Sequence, residues 1–300
     1  MNMGTDLPPQ IRERTVSKAR TLLEALPFMR EHHGKVIVVK YGGAAMEKAG
    51  LAKPFAEDIA LLRSAGINPV VVHGGGPQVT KMSAQLGIET QFVDGLRVTD
   101  AQTLDVATMV LAGKLNTDVV MTLNSQDVPA VGLSGVDGRL LLARKQSGPD
   151  LGFVGEVVHV DPGVVHTLLE QRYVPVIASI AMDGAGQAYN VNADVVASEL
   201  AMALGAEKLV FINDVPGLIG AAGDLLSELS AQQCLDLLAA DGVVEGGMIP
   251  KLESSVRALK AGVRRVHLVD GRVEHSLVLE LFTPEGVGTM ITPDADAEDA

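Results

Sequence analysis

Short apolar runs that end near glycine-rich segments recur along this chain, and they constrain its fold more than any other feature. The runs at Lys35–Lys40 and Asn68–Val72 have the length of a strand and lead into a glycine pair and a glycine triplet. Further strand-like runs lie at Val174–Ser179, Lys208–Ile212 and Arg265–Val269. Strands that are apolar along their whole length are usually buried on both faces. The pattern therefore predicts an open, mostly parallel sheet covered by helices on both sides.

Segments with apolar residues three and four apart, the period of a helix, separate these runs. Helices are predicted near residues 51–64, 77–86, 100–112, 115–125, 194–204, 231–240, 251–261 and 273–282. A short strand is expected at Ala130–Leu133, and the glycine-rich residues 134–160 could hold hairpins. Ile11–Glu31 has the helical pattern too but lies outside the strand–helix alternation. Pro27 within it is expected to kink or end that helix.

The charge balance and the single cysteine exclude several classes of protein. A formal net charge of −13, with an acidic tail at Asp294, Asp296, Glu298 and Asp299, argues against nucleic-acid and anionic-membrane partners. The apolar runs are too short to span a bilayer, and the first residues lack the apolar stretch of a signal peptide. One cysteine, Cys234, excludes an internal disulfide and a cysteine-rich metal site. We therefore expect a cytoplasmic protein.

Four unusual segments are placed at the carboxyl ends of predicted strands, where the ligands of an open α/β sheet bind. They are Lys40–Gly43, His73–Pro77, Asn190–Asp194 and Asp214–Gly217. The glycine triplet in the second segment ends a strand and opens a helix. It predicts either an anion at the free N–H groups of the helix or only a tight turn. Gly42-Gly43 is a weaker indication of the same kind.

Charged and amide side chains stand close to these glycines. Lys40 and Lys251 could each fix a positive charge beside a transferring phosphoryl group, or simply be solvated lysines. The planar fork of Arg97 suits a carboxylate, although a surface salt bridge explains this residue equally well. Asn190 and Asp194 would face one side of an extended segment, or Asp194 could begin a helix.

Six motifs occur together, and in order, as they do in the amino acid kinase family, which the chain resembles over roughly residues 34–292. They are KYGG at Lys40–Gly43, HGGGP at His73–Pro77, GLRVTD at Gly95–Asp100, NVNAD at Asn190–Asp194, NDVPGL at Asn213–Leu218 and GGMIPKL at Gly246–Leu252. The resemblance is greatest to members that phosphorylate the γ-carboxylate of N-acetyl-L-glutamate with ATP and Mg²⁺ in arginine biosynthesis. It implies a three-layer αβα sandwich with about eight strands in the central sheet.

The resemblance also implies a role for each matching residue. Lys40 and Lys251 would stabilise charge on the transferring phosphoryl group, with Asp194 positioning both lysines. The acyl-amino-acid half comes first, and acetylglutamate would be held by Gly75, Gly76, Arg97 and Asn190. The ATP half follows from about residue 190, and the nucleotide would be bordered by Gly42, Gly43, Asp214 and Gly217. We expect no metal site formed by the side chains of this chain.

The N-terminal arm, residues 1–33, resembles the extra helix of the arginine-inhibited, hexameric members of the family. Such a hexamer is a trimer of dimers. Those members also carry a C-terminal segment similar to His275–Gly288 that helps to bind arginine. The resemblance therefore implies arginine as an inhibitor, with His275, Glu280 and Gly286 in its site, and leaves residues 293–300 as an acidic tail.

Three other interpretations stay open. Another carboxylate kinase of the family could act on aspartate, glutamate or a carrier-bound amino acid, although Arg97 favours a small acylated substrate. A catalytically silent regulatory homologue is disfavoured because Lys40, Asp194 and Lys251 are all present. A nicotinamide-dependent dehydrogenase is disfavoured because the GxGxxG fingerprint with a downstream acid is missing.

Overall fold

The computed structural model describes residues 9–294, apart from 49, 94, 221–222, 241–243 and 245. Most of the predicted acidic tail therefore lies outside the described residues. The helices are α1 (Pro9–His32), α2 (Gly43–Glu47), α3 (Ala52–Ser64), α4 (Gly76–Gln85), α5 (Ala101–Thr108), α6 (Asn116–Asn124), α7 (Gly163–Glu170), α8 (Ala193–Ala203), α9 (Ala231–Ala239), α10 (Met248–Lys260) and α11 (Ser276–Phe282). A π-helical segment, Met109–Leu115, joins α5 to α6, and Asp137–Arg139 forms a 3₁₀ turn.

An eight-stranded central sheet confirms the predicted α/β fold class. Its strands, in spatial order, are β12 (Glu228–Ser230), β14 (Thr289–Thr292), β13 (Arg265–Asp270), β11 (Lys208–Asn213), β1 (Val36–Tyr41), β2 (Asn68–His73), β8 (Val174–Ala178) and β5 (Ala130–Ser134). Neighbouring strands pair in parallel, except that β13 and β14 are antiparallel. The carboxyl ends of β1, β2 and β11 therefore lie side by side at one edge of the sheet.

Two smaller sheets complete the strand set in the described part of the chain. One contains β10 (Ala188–Asn190), β9 (Ile180–Met182), β6 (Leu141–Lys145) and β7 (Gly155–Val160); the other is the short hairpin β3 (Phe92–Val93) and β4 (Leu96–Arg97). Since β6 and β7 pair antiparallel, the hairpin predicted within residues 134–160 is present. The short strands β9 and β10 and helix α7 have no counterpart in the prediction.

Alternate residues of the central strands enter different apolar clusters, and this divides the core into two layers. Val38 of β1 packs in one cluster with side chains of α8 and α10, such as Leu200 and Val256. Ile37 and Val39 pack in the other, which includes apolar residues of α3, α6 and α11. Because successive side chains of a strand point to opposite faces, the helices cover the sheet on both sides. The fold is therefore the three-layer sandwich that was expected.

The helical run over residues 101–124 differs from the prediction of two separate helices. Here α5, the π-helical segment and α6 follow one another without a break. By length and composition, this run is also the one helix of the described residues that could cross a membrane. Its apolar side is buried, however: Ala107, Leu111 and Leu123 are at most 4% exposed. We therefore assign it to the core of the fold.

Helix α1 passes through Pro27 and ends at His32, so the prediction that this proline could end the helix was wrong. Proline removes the hydrogen bond to the carbonyl four residues earlier. For Pro27, the carbonyl that loses its partner is that of Leu23. Leu23 is 65% exposed, so water can donate a hydrogen bond to this carbonyl. Farther along the helix, Phe28 and Met29 pack against the cluster that includes α11. The arm is thus anchored to the fold by its last turns.

Candidate active site

Two buried lysines share one aspartate at the carboxyl edge of the sheet. The Nζ of Lys40 lies 2.8 Å from Oδ1 of Asp194, and the Nζ of Lys251 lies 2.7 Å from Oδ2. Each of the three side chains is only 10–11% exposed. The structure thus brings together three residues that are separated by more than 200 positions in the sequence.

Each member of this trio is held by an element of regular structure. Lys40 is the fifth residue of β1. Asp194 lies in the first turn of α8, where Asn192 caps the helix by accepting from the N–H of Asp194 at 2.7 Å. Lys251 lies near the start of α10, which is tied to α8 by a hydrogen bond of 2.9 Å from Ser198 Oγ to the Ser254 carbonyl. The trio therefore rests on a strand and two helices rather than on loops.

The trio carries one positive charge that no carboxylate within it balances. Burial opposes ionisation of Asp194, but Lys40 and Lys251 outweigh that effect and lower its pKa to about 2. Burial lowers the pKa of Lys251, while Asp194 opposes that shift. Two ammonium groups and one carboxylate leave a net charge of +1. Since burying such a cluster costs free energy unless each charge is compensated, the geometry favours an anionic ligand.

A cavity of about 240 Å³ opens beside the trio. Its walls include Lys40, Asp194, Gly43 and the triplet Gly74–Gly76. A Cβ atom at Gly43 would lie 3.1 Å from the Cα of Gly75, so the two glycine segments approach each other closely. Because α4 begins at Gly76, N–H groups without intrahelical partners start there. The glycine triplet thus forms one wall of a site that suits an anion.

Arg97 is buried against the same cavity, which excludes a surface salt bridge. Its Nη2 donates to the carbonyl of Gly76 at 2.8 Å and to Oγ1 of Thr80 at 2.9 Å. Its guanidinium carbon lies 4.7 Å from the ring centre of Phe92. The Nη1 is buried and has no hydrogen-bond partner in the described residues. One side of the guanidinium is therefore fixed, and the other remains available to an acidic ligand.

Asn190 joins the cavity wall through a chain of polar contacts. Its backbone N–H donates to the Phe153 carbonyl at 2.9 Å, and its side-chain Nδ2 lies 3.4 Å from Oγ1 of Thr99. That hydroxyl donates in turn to the carbonyl of Arg97 at 2.8 Å. Asn190 ends β10, and Asn192, which is also extended, caps α8. Asn190 and Arg97 are brought to one cavity.

The predicted nucleotide residues lie at the ends of β1 and β11. A Cβ atom at Gly42 would lie 2.7 Å from the carbonyl oxygen of Ile212, which explains the need for glycine there. Asp214 is exposed just beyond β11, and its charge offsets a small part of the lowering of the Lys251 pKa by burial. Gly217 has a φ of +147°, and a side chain there would meet Oγ1 of Thr289 at 2.6 Å. Asp214 is thus coupled electrostatically to Lys251, whereas Gly42 lies beside Lys40, whose Nζ would be 3.6 Å from a Cβ atom at this glycine.

Sequence and structure comparisons agree on the family. The model of the amino acid kinase family matches residues 35–270. The chain belongs to the amino acid kinase family. Among similar members, an acetylglutamate kinase of Symbiobacterium thermophilum is 51% identical over 290 residues, covering 93% of this chain and 99% of that protein. An acetylglutamate kinase of Aquifex aeolicus is 48% identical over 293 residues, covering 92% of this chain and 98% of that protein.

Solved structures extend the comparison to another enzyme. The N-acetylglutamate synthase of Neisseria gonorrhoeae, complexed with coenzyme A and N-acetylglutamate, superposes with a TM-score of 0.84 at 29% identity. The match covers 92% of this chain but only 64% of the synthase. The complex of that synthase with coenzyme A and L-arginine gives a TM-score of 0.79 at 27% identity. This match covers 91% of this chain and 65% of the synthase. The kinase-family fold therefore forms part of a longer enzyme in that case.

The residues predicted from the family for an inhibitor site are only partly brought together. Oε2 of Glu280 accepts from the N–H groups of Val287 and Gly288 at 2.7 and 3.0 Å. A Cβ atom at Gly286 would lie 2.9 Å from this oxygen, so Gly286 and Glu280 are neighbours. His275, at the start of α11, has a different partner, since its Nδ1 contacts Oδ1 of Asp58 at 2.6 Å.

Sequence reasoning missed several residues around both sites. In the cavity these include Phe92 and Thr80, which hold Arg97, and Thr80 lies one helical turn after Gly76. Next to Glu280, the missed residue is His267, whose Nδ1 is 2.7 Å from Oε1 of Glu280. His267 is a polar residue within the buried strand β13, and that placement was a usable signal.

Proposed function

We propose that this member of the amino acid kinase family is an acetylglutamate kinase, which transfers the γ-phosphoryl group of ATP to the γ-carboxylate of N-acetyl-L-glutamate in arginine biosynthesis. The observation that carries the proposal is the Lys40–Asp194–Lys251 trio beside a cavity that also holds Arg97. The identity of about 50% to acetylglutamate kinases over more than 90% of the chain supports the same substrate.

Arg97 fits the α-carboxylate of this substrate. The contacts of Nη2 with Gly76 and Thr80 give the guanidinium one defined orientation, and they leave Nη1 to donate to an oxygen of the carboxylate. Asn190 lies on the same wall and offers an amide to the substrate. With the α-carboxylate at Arg97, the γ-carboxylate would extend toward Lys40. Aspartate is one carbon shorter, and free glutamate would bring an ammonium group into a site that favours anions.

The phosphoryl transfer needs charge compensation rather than a base. A γ-carboxylate is ionised at neutral pH, so the nucleophile requires no deprotonation. The obstacle is the approach of two anions, and the unbalanced positive charge of the trio lowers it. Asp194 contacts both lysines, so it holds Lys40 on the acceptor side and Lys251 on the ATP side at a fixed separation. Gly75 and Gly76 add backbone N–H groups to the acceptor side.

ATP would occupy the second half of the chain, bordered by Gly42, Gly43, Asp214 and Gly217. We propose that this half begins near residue 190 and that residues 34–190 bind the acyl amino acid. Mg²⁺ would be held mainly by the phosphates of ATP, because each oxygen of Asp194 already contacts a lysine. When bound, Mg²⁺ neutralises part of the phosphate charge.

The test is to trap the acyl phosphate product as its hydroxamate. We expect hydroxamate formation that requires ATP, Mg²⁺ and N-acetyl-L-glutamate, and much less product with aspartate or glutamate. A preference for either free amino acid would show that the protein phosphorylates that amino acid rather than N-acetyl-L-glutamate. Wild-type protein that binds both ligands but forms no acyl phosphate would identify a regulatory homologue instead.

We also propose that arginine inhibits the enzyme by binding near the contact of α1 with α11. Glu280 and His267 form a buried pair there, and His32 at the end of α1 has two buried ring nitrogens without hydrogen-bond partners in the described residues. Burial of Lys208 lowers its pKa to about 8, and the acids nearest to it include Glu31 of α1 and Glu280. Arginine could use the carboxylates for its guanidinium and the cations for its own carboxylate. The synthase solved with L-arginine supports this choice of inhibitor.

The exposed part of α1 supports a proposal for assembly. Val16, Leu22 and Leu23 are 45–70% exposed, whereas Phe28 and Met29 are packed on the fold. An apolar face on a helix that projects from the domain needs a partner in water. We propose that α1 pairs with its copy on another subunit and links three dimers into a hexamer in the cytoplasm.

A further inference from the structure

We propose that His73 and Asn116 are positioning residues for the glycine triplet. Asn116 fixes the proton of the His73 imidazole on Nδ1, and that N–H holds the Gly74 carbonyl so that the Gly75 N–H of the same peptide faces the ligand. The inference rests on the proposed function of the triplet as the wall that binds the acyl amino acid. It assigns a role to the buried histidine at the start of the HGGGP motif.

Asn116 reaches from α6 to two strands of the central sheet. Its Nδ2 lies 2.9 Å from the carbonyl of Val176 in β8 and 3.2 Å from that of Leu133 in β5. Both partners are acceptors, so this atom of the amide must be the nitrogen. A Cβ atom at Gly132 would lie 2.0 Å from Oδ1 of Asn116. The strand therefore carries a glycine where the amide needs space.

The same amide determines the tautomer of His73. Nδ2 of Asn116 lies 3.1 Å from Nε2 of His73. An amide nitrogen cannot accept a hydrogen bond, so Nε2 must be the unprotonated nitrogen, and it shares one of the two amide hydrogens with a strand carbonyl. The other ring nitrogen, Nδ1, lies 3.0 Å from the carbonyl oxygen of Gly74, and only an N–H can satisfy that acceptor. His73 is 0% exposed, and burial lowers its pKa, so the ring stays neutral. A neutral ring has one proton, and both contacts place it on Nδ1.

The π-helical segment supports the loop from the other side. A Cβ atom at Gly75 would lie 2.3 Å from Cδ1 of Leu115 and 2.7 Å from Cδ2 of Leu111. Both leucines belong to the π-helical segment, and Asn116 follows it directly. Because a π-helix has a wider turn than an α-helix, it changes the direction of the side chains that follow. Interruptions of this kind often mark functional sites.

These contacts fix the orientation of one peptide. The C=O and N–H groups of a trans peptide point in opposite directions. Holding the Gly74 oxygen against the His73 ring therefore turns the Gly75 N–H away from that ring. The leucines prevent the loop from moving toward the π-helical segment, since no space remains there for even one added atom. The triplet is thus preorganised before a ligand binds.

Two substitutions of His73 separate positioning from packing. In His73→Asn, the amide nitrogen takes the place of Nδ1 and can still donate to the Gly74 carbonyl, whereas His73→Leu removes the donor. We expect His73→Leu to raise KM for N-acetyl-L-glutamate by about 10- to 100-fold with KM for ATP nearly unchanged. We expect His73→Asn to stay within a few-fold of wild type. Equal KM values for the two variants, or equal losses for both substrates, would overturn the inference.

A second measurement keeps the inference testable if His73→Leu does not fold. Nitrogen-15 chemical shifts of the imidazole show which ring nitrogen carries the proton, and the spectrum of His73→Asn assigns the signals. In full-length wild type we expect Nδ1–H with an unprotonated Nε2 and no titration near neutral pH. A proton on Nε2 would contradict the inference. Wild-type protein without acetylglutamate kinase activity would instead contradict the proposed function, because the tautomer does not depend on catalysis.

Discussion

Lys40 and Lys208 are buried on neighbouring parallel strands, yet they lie at opposite edges of the sheet and in different electrostatic surroundings. Lys40 is near the carboxyl end of β1 and shares Asp194 with Lys251 at 2.7–2.8 Å. Lys208 begins β11 and has Glu31, Glu207 and Glu280 nearby, but it forms a direct ion pair with none of them in the described part of the chain. Lys40 and Lys251 both contact one carboxylate, that of Asp194, whereas Lys208 contacts no carboxylate directly within the described residues.

The different electrostatic surroundings of the two lysines suit the two edges of the sheet to different functions. At the carboxyl edge, strand ends and helix starts fix three charges at short distances, as catalysis of a transfer between two anions requires. At the amino edge, burial lowers the pKa of Lys208 to about 8 and that of His32 to about 4, and among the residues that the structure describes no short contact compensates either group. Uncompensated groups next to a docked helix are suited to a ligand that binds reversibly. We therefore propose that catalysis takes place at the first edge and that the proposed control by arginine acts at the second.

The largest expected effect is that of Lys40→Met. Removing this charge should lower kcat by about 100- to 1,000-fold, because the charge matters most in the transition state. Both KM values should change by only about threefold. Steady-state kinetics with the folded variant measures the split. A near-normal kcat would remove Lys40 from the mechanism and erase the contrast between the two edges.

Arg97→Lys tests the acceptor side of the carboxyl edge. Lysine has a single nitrogen, so it cannot keep the contacts of Nη2 with Gly76 and Thr80 and at the same time offer a second nitrogen to a carboxylate. We expect KM for N-acetyl-L-glutamate to rise about 10- to 100-fold while KM for ATP stays the same. Arg144→Lys is the matched control, since Arg144 pairs with Glu156 on the surface. Equal losses for both substrates would mean that Arg97 supports the fold instead.

Substitutions in α1, at the amino edge of the sheet, should change assembly and inhibition by arginine rather than catalysis, and this effect is smaller. Changing both Leu22 and Leu23 to Ser removes exposed apolar surface from α1 but leaves the packed residues Phe28 and Met29 in place. The variant should sediment as a dimer, retain kcat without arginine and lose most of its inhibition by arginine. Val158→Ser, at an exposed valine of β7, is the control and should remain hexameric. A double variant that stays hexameric and fully inhibited would exclude this role for α1.

The smallest expected effect is the pH dependence of stability that arises from His32. Burial lowers its pKa from 6.5 to about 4, so below pH 6.5 the unfolded chain binds a proton that the folded chain does not. Stability is therefore lost as pH falls from 6.5 to 4. His32→Phe should remove about 2–3 kcal/mol of this loss, as measured by denaturant unfolding at both pH values. His159→Phe, at an exposed histidine, should leave the loss unchanged.

The sequence predicts the sheet and its ligand edge well because both follow from local pattern. A buried parallel strand such as Lys208–Ile212 is recognisable from its apolar residues, and the topology of a parallel sheet collects the carboxyl ends. Lys40 and Asp194 were therefore predicted to lie at one edge, whereas the place of Lys251 beside them was implied only by the resemblance to the family. Their ion pairs, and the buried position of Arg97, depend on packing that no motif specifies.

The remaining features could not be predicted because their causes are distant in the sequence. Asn116 looks like any polar residue of a helix, and its partners in β2, β5 and β8 are known only once the strands are placed. The π-helical segment has no marker in the sequence, so two helices were predicted in its place. The His267–Glu280 pair joins a strand to a helix, although a histidine inside a buried strand was a clue.

The most direct test of the central claim is to compare Lys251→Met with Lys208→Met in the absence of arginine. Both substitutions remove one buried ammonium group and keep an unbranched side chain, but at opposite edges of the sheet. With circular dichroism confirming that both variants fold, we predict that Lys251→Met lowers the kcat of acetylglutamate phosphorylation by at least about 100-fold, whereas Lys208→Met changes it by no more than about threefold. Equal losses in the two variants, or a larger loss for Lys208→Met, would contradict the assignment of catalysis to the carboxyl edge.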